Sequence, residues 1–156
     1  MLIAMAMEKR EGVSREEALS HIWLRDSKGL VVKDRPEGGI SEPKEPFAHE
    51  HAPVSDLMEI IKDIKPTCLI GAAAIPNVFT PEVIQEMSGL NEKPIIFALS
   101  NPTSKAECTA EAAYTHSEGR AIFASGSPFP PFEGITFDLL AFTGQRALSN
   151  LLRTLL

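Results

Sequence analysis

A chain of 156 residues with 44% apolar and 23% charged side chains is long enough to bury a core of its own and has the composition of an ordinary globular fold. Its formal charge of -6 argues against nucleic acid and anionic membranes as partners, because both require a basic face. The two cysteines, Cys68 and Cys108, stand at no zinc-ligand spacing and read as reduced thiols, and no run approaches the roughly 18 apolar residues that span a bilayer.

In chain order, Met1 to Met7 is apolar, lacks a cap and is followed at once by Glu8 to Glu11, so it reads as a helix entered halfway. The true amino terminus is then expected to lie elsewhere, and the absence of a secretory signal is weak guidance to the compartment. Cytoplasm is the expectation, with mitochondrion and plastid open. Ser14 and Glu17 form a capping box that opens a short helix. His21 to Arg25 reads as a strand, Asp26 sits immediately after it, and Ser27, Lys28 and Gly29 make the turn. Asp34 to Pro53, rich in proline, glycine and charge, reads as the longest loop.

Ser55 is placed to cap a helix running to about Lys65, with Leu57, Ile60, Ile61 and Ile64 on one stripe and Pro66 ending it. Thr67 to Ile70 is the next strand, Gly71 its exit, and Ala72 to Asn77 a loop of small residues. Thr80 as N-cap with Pro81 at the first helical position starts a helix whose Val83, Ile84 and Met87 face inward. The apolar run Ile95 to Leu99 suits a strand covered on both faces, with Ser100, Asn101 and Pro102 at its carboxyl end. Ser104 and Glu107 read as a second capping box, opening a helix to about His116 with Gly119 as its left-handed cap. A last strand, 121–124, ends in Ser125, Gly126 and Ser127.

Four strands alternating with helices require crossovers and a parallel sheet. The expected fold is α/β, a Rossmann-like doubly wound parallel sheet truncated at its first strand, with Asp26, Gly71, Asn101 and Ser125 on one edge. Such an edge is where ligands bind in open α/β sheets. Beyond it, Leu148, Leu151, Leu152 and Leu155 fit a helical stripe, read as a terminal helix, a disordered tail or a partner-binding face.

Several residues are candidates for chemistry. Asp26, at the end of a second strand, either accepts hydrogen bonds from adenosine ribose hydroxyls or is a solvated turn aspartate, and no G-x-G-x-x-G run accompanies it. Lys33, Arg35 and Lys44 could pair with a 2'-phosphate, which Asp26 and Asp34 would repel; the alternative is a charged surface loop. Gly71, Ala72, Ala73 and Ala74 offer no side chain to obstruct a dinucleotide backbone, or simply form a tight turn. Asn101 carries donors and an acceptor that suit a hydroxy acid or a nicotinamide ribose, and would otherwise cap a helix. His49 and His51, on either side of Glu50, are too few for a zinc site and favour a polar loop, while Ser125 and Ser127 have no partners for a triad.

Together the runs Ile22–Lys33, Phe47–His51, Lys65–Gly71, Phe79–Val83, Asn91–Cys108 and Gly119–Phe129 resemble, in order, the nucleotide-binding domain of malic enzyme. The resemblance covers about residues 1–132 and dissolves over residues 133–156, where Gly144-Gln145 is followed by Arg146-Ala147 instead of the family's Gly-Gln-Gly-Asn-Asn. It implies oxidative decarboxylation of (S)-malate to pyruvate and carbon dioxide with reduction of NADP or NAD, assisted by Mg2+ or Mn2+. Carried over by motif, Asp26 would hold the adenosine ribose and Gly71 and Ala72 would line the dinucleotide path, with Ser27, Arg35, Ala73 and Ser100 as further cofactor-binding residues. Asn101 would contact both malate and the nicotinamide side. The Asp26-Ser-Lys-Gly29 turn is similar to NADP-using members, although an acid there generally favours NAD. The family's catalytic tyrosine and lysine, its acidic metal ligands and its Gly-rich turn belong upstream of the matching segment. This chain is therefore expected to be inactive alone, with a homo-oligomer expected for the full-length family. The alternatives are a non-catalytic interaction module using the apolar start and the leucine-striped tail, or another Rossmann-type dehydrogenase domain.

Overall fold

The computed structural model describes residues 2–130, which divide between two compact units, the chain passing from the first to the second at Ile60–Ile61. The terminal leucine stripe, Arg146 and the 133–156 segment lie outside the described residues.

The first unit opens with helices α1 (Leu2–Glu11) and α2 (Arg15–Ser20). Ser14 caps α2 as its position requires, its Oγ accepting from the Glu17 N–H at 3.1 Å. The helices pack on each other through small residues, Ala4 and Ala18 being fully buried, and Arg15 pairs with Glu8 at 2.8 Å.

The expected strand His21–Arg25 is not a member of a parallel sheet. Only Arg25–Asp26 forms a strand (β1), paired antiparallel with Gly29–Leu30 (β2) in the register Arg25↔Leu30 and Asp26↔Gly29. The cause is local turn chemistry. Asp26 Oδ1 accepts from the Lys28 N–H at 2.9 Å, and Gly29 takes φ +101°, which folds the chain back three residues after Asp26. Val31 N–H then reaches Leu24 O at 2.8 Å, and Leu30, Val31 and Val32 are buried. The long loop contains a 3-10 turn, Glu42–Phe47, with Phe47 buried beneath it.

The second unit is the α/β part. Helix α3 (Leu57–Ile64) leads into it, and the cap is Asp56, whose Oδ1 accepts from the Glu59 N–H at 3.0 Å, one residue later than Ser55. Strands β3 (Cys68–Gly71), β4 (Ile95–Ala98) and β5 (Ile122–Ser125) form a parallel sheet in the order β3-β4-β5. Helix α4 (Pro81–Leu90) makes the first crossover and α5 (Ala110–His116) the second. The register pairs Gly71 with Ala98 and Ala98 with Ser125, so the three strands end level with one another. Four expected parallel strands are thus three, and a Rossmann-like α/β sheet remains the fold class.

The core sits where the patterns predict. Central strand β4 buries Ile96, Phe97 and Ala98; α4 buries Val83, Ile84 and Met87; α5 buries Ala110, Ala113 and Tyr114. Thr80 caps α4 with Pro81 after it, and Gly119, at φ +74°, donates its N–H to Tyr114 O at 2.8 Å to close α5. Helix α5 differs from expectation at its start. Ser104 lies in a separate 3-10 turn (Thr103–Lys105), and Thr109 is the N-cap, its Oγ1 accepting from the Ala112 N–H at 3.0 Å.

Candidate functional site

In the first unit the residues singled out around Asp26 form a charge cluster. Arg35 donates from Nη1 to Oδ1 at 3.1 Å and from Nη2 to Oδ2 at 3.2 Å, the two-pronged geometry in which a guanidinium holds a carboxylate best. Lys44 Nζ donates to Oδ2, and Arg35 Nε is fixed in turn by Gly39 O at 2.9 Å. Partial burial acts to raise the Asp26 pKa. The hydrogen bonds from Arg35, Lys44 and the Lys28 amide outweigh it and hold the carboxyl well below the usual carboxylate range. Arg35 is 5% exposed at its side chain against 37% for Lys44, so one cation is structural and the other faces solvent. Ser27 is exposed beside them. Lys33 is turned elsewhere, to Glu50 at 2.8 Å. His49 stacks on Trp23 with ring centroids 3.9 Å apart and its Nε2 lies 2.9 Å from Ile22 O, while His51 meets the same ring edge-on. The polar-loop reading of the histidine pair becomes an aromatic cluster.

In the second unit the level strand ends bring Gly71, Ser100, Asn101 and Ser125 to one edge. Asn101 is exposed, and a cis peptide joins it to Pro102. Its Oδ1 accepts from Ser127 Oγ, whereas Nδ2 lies a long 3.5 Å from Leu99 O and keeps donor capacity. Gly126 permits this, since a Cβ there would lie 2.2 Å from Leu99 O and 2.8 Å from Asn101 Nδ2. Ser125 donates to Ser127 O and so serves the same corner.

Ser100 is buried and does not itself face solvent. It donates from Oγ to Glu107 Oε1 and from its N–H to Oε2 at 3.3 Å, and its Oγ accepts from the Ala74 N–H at 2.9 Å. The room left by Gly71 is taken by Glu107, whose Cγ and Cδ lie 2.3 and 2.4 Å from where a Cβ would stand. Ala72 and Ala73 are exposed beyond it. Glu107, expected to complete a capping box with Ser104, is instead held by Ser100, and Thr109 caps the helix. Burial, and after it the negative charge of Glu107, pushes the Cys108 thiol up to about 12, and burial alone takes Cys68 to about 11, which disfavours the thiolate at both.

Among the described residues no three His, Cys, Asp or Glu side chains gather as a metal site, and no helix is long and apolar enough to cross a membrane. The ion implied by the resemblance finds no ligand set among them.

Residues 1–140 match the family described as malic enzyme, NAD binding domain. The chain is 62% identical over 130 residues to the NADP-dependent malic enzyme of Columba livia, covering 83% of this chain and 23% of that protein. It is 61% identical over 130 residues to the enzyme of the same name from Sus scrofa, again 83% and 23%. Against the chloroplastic NADP-dependent malic enzyme of Solanum lycopersicum it is 58% identical over 132 residues, or 85% and 23%. The chain thus spans about a quarter of the length of these relatives.

Proposed function

Because the chain belongs to the malic enzyme family through its NAD-binding domain, we propose that it supplies the NADP-binding and malate-facing part of an enzyme that oxidatively decarboxylates (S)-malate to pyruvate and carbon dioxide. The observation that carries the choice of NADP over NAD is the state of Asp26. A bare carboxylate would repel a 2'-phosphate and favour the ribose hydroxyls of NAD. Here two cations hold it, leaving the cluster one positive charge in excess, and the half-exposed Lys44 is the cation able to swing to a phosphate while Arg35 stays on Asp26. Ser27 adds an exposed hydroxyl that can donate to the same group.

In the second unit, Ala72 and Ala73 present an unobstructed surface for the dinucleotide, with Gly71 and Ser100 shaping the loop beneath them. Asn101 orients the substrate. Its Oδ1 is engaged by Ser127, which aims the amide hydrogens outward as donors toward a malate carboxylate or hydroxyl and the nicotinamide ribose. This chain's own residues bind and orient. The reading keeps the plastid beside the cytoplasm, since one matched relative is named chloroplastic.

The test is titration of the purified chain with NADPH and NADH by cofactor fluorescence. Lys44→Ala is expected to weaken NADPH at least about tenfold, a loss of roughly 1.4 kcal/mol, and to leave NADH within about twofold. Equal losses for both cofactors would remove the 2'-phosphate assignment.

A further inference from the structure

Among the described residues Glu107 is the only acidic side chain in the buried class, 1% exposed, and the proposed binding function uses no charge at that point. Its carboxyl group crosses the ends of two strands. It lies against Gly71 at the exit of β3 and takes both the N–H and the hydroxyl of Ser100 at the exit of β4. Through Ser100 Oγ it reaches the Ala74 N–H, and Ala74 and Asn77 both sit in the left-handed region at φ +54° and +57°. Asparagine enters that region readily, but an alanine such as Ala74 does so only where its surroundings hold it. The same segment straps the far end of the loop, because Asn77 N–H donates to Ala106 O at 3.1 Å and Phe79 N–H to Glu107 O at 3.0 Å.

We infer that Glu107 is a positioning residue for cofactor binding: acting through Ser100, it holds the 72–77 loop in the shape that admits the dinucleotide. This rests on the cofactor reading above. The chemistry of the hydrogen bonds makes the carboxyl group specific. Ser100 offers Glu107 two donors, its N–H and its O–H, and only a group with two acceptor oxygens satisfies both while freeing an Oγ lone pair for Ala74. In Glu107→Gln an amide N–H faces Ser100 whichever way the side chain turns. It meets either the Ser100 N–H, which cannot accept, or Oγ, which then accepts twice and strands its own proton.

The experiment uses the full chain and three proteins: wild type, Glu107→Gln, and Met87→Ala as a core control on α4 with a lowered melting temperature. NADPH affinity is measured well below all melting temperatures, alongside amide hydrogen exchange without cofactor. A loss of about tenfold or more in NADPH affinity for Glu107→Gln, with exchange in residues 72–77 accelerated selectively and Met87→Ala binding normally, supports the assignment. Wild-type affinity in Glu107→Gln, or an equal loss in Met87→Ala, overturns it. If wild type does not bind NADPH, the cofactor reading fails separately. The role toward the cofactor then falls with it, and hydrogen exchange tests the hold on the loop by itself: unchanged protection of residues 72–77 in Glu107→Gln overturns that hold, and selective acceleration supports it.

Discussion

Asp26 shows how the same residue changes meaning once its partners are known. As a letter in the sequence it is an acid after a strand, and the physics of such an acid points to ribose hydroxyls. In the structure it is an acceptor whose capacity is spent on Arg35, Lys44 and the Lys28 amide. Among the described residues Arg35, nearly buried at its side chain, has no other carboxylate among its bonds. Asp26→Asn is therefore expected to destabilise the chain by about 1–3 kcal/mol at neutral pH, because it leaves a nearly buried guanidinium without its counter-charge. The sign of the pH dependence follows from the lowered carboxyl. The folded protein gives up the Asp26 proton more readily than the unfolded chain, so the stabilisation is complete above the ordinary carboxylate range near about pH 4 and is lost as pH falls through it toward the lower folded value. Urea unfolding of wild type and Asp26→Asn should give curves that separate at neutral pH and converge in acid. A constant gap across that range would mean the ion pair contributes nothing.

At the level of elements, the helices and strands with strong periodic patterns were legible, and the failures share one cause. Strands β3, β4 and β5 and helix α4 fall where apolar runs and the Thr80-Pro81 start place them. The misreadings sit at residues that offered two local solutions. The Asp26-Ser-Lys-Gly29 segment could end a parallel strand or turn a hairpin, and the hairpin won because its hydrogen bonds form within four residues. Ser104 and Thr109 could each cap the helix before His116; Thr109 won because Glu107, needed three residues after Ser104 to complete the box, is drawn inward by Ser100. No pattern of spacing encodes that contact, since it depends on the room above Gly71 and on a strand neighbour 36 positions before Glu107 in the chain. Around the candidate residues the limit is the same: the sequence puts Asn101 and Asp26 beside strand ends and offers Ser127 and Lys44 as polar neighbours, but no spacing shows that Ser127 holds the Asn101 amide or that Lys44 pairs with Asp26. The two caps make a direct test. Thr109→Ala should cost about 1 kcal/mol of stability, as loss of an N-cap does, while Ser104→Ala, whose hydroxyl caps no helix, should fall within about 0.5 kcal/mol of wild type. Equal costs would restore the longer helix.

For the molecule as a whole, the charge of -6 sets a problem for a chain proposed to bind a cofactor carrying several phosphates. The field of an acidic protein repels any such anion at long range, and the repulsion acts on NADPH and NADH alike apart from the extra phosphate. On the proposed reading, what separates them is short range: the excess positive charge at Asp26, Arg35 and Lys44, with Lys44 partly open to water. Salt acts on the two effects in opposite directions. It screens the long-range repulsion, which helps both cofactors, and it screens the contact between Lys44 and a 2'-phosphate, which weakens NADPH alone. Raising ionic strength from about 0.01 M to about 0.5 M is therefore expected to shrink the NADPH preference several-fold even where neither affinity changes much by itself. In Lys44→Ala the preference should be small throughout and nearly independent of salt. A preference for NADPH that persists undiminished at high salt would place discrimination in a buried, unscreened contact and not in this half-exposed cluster.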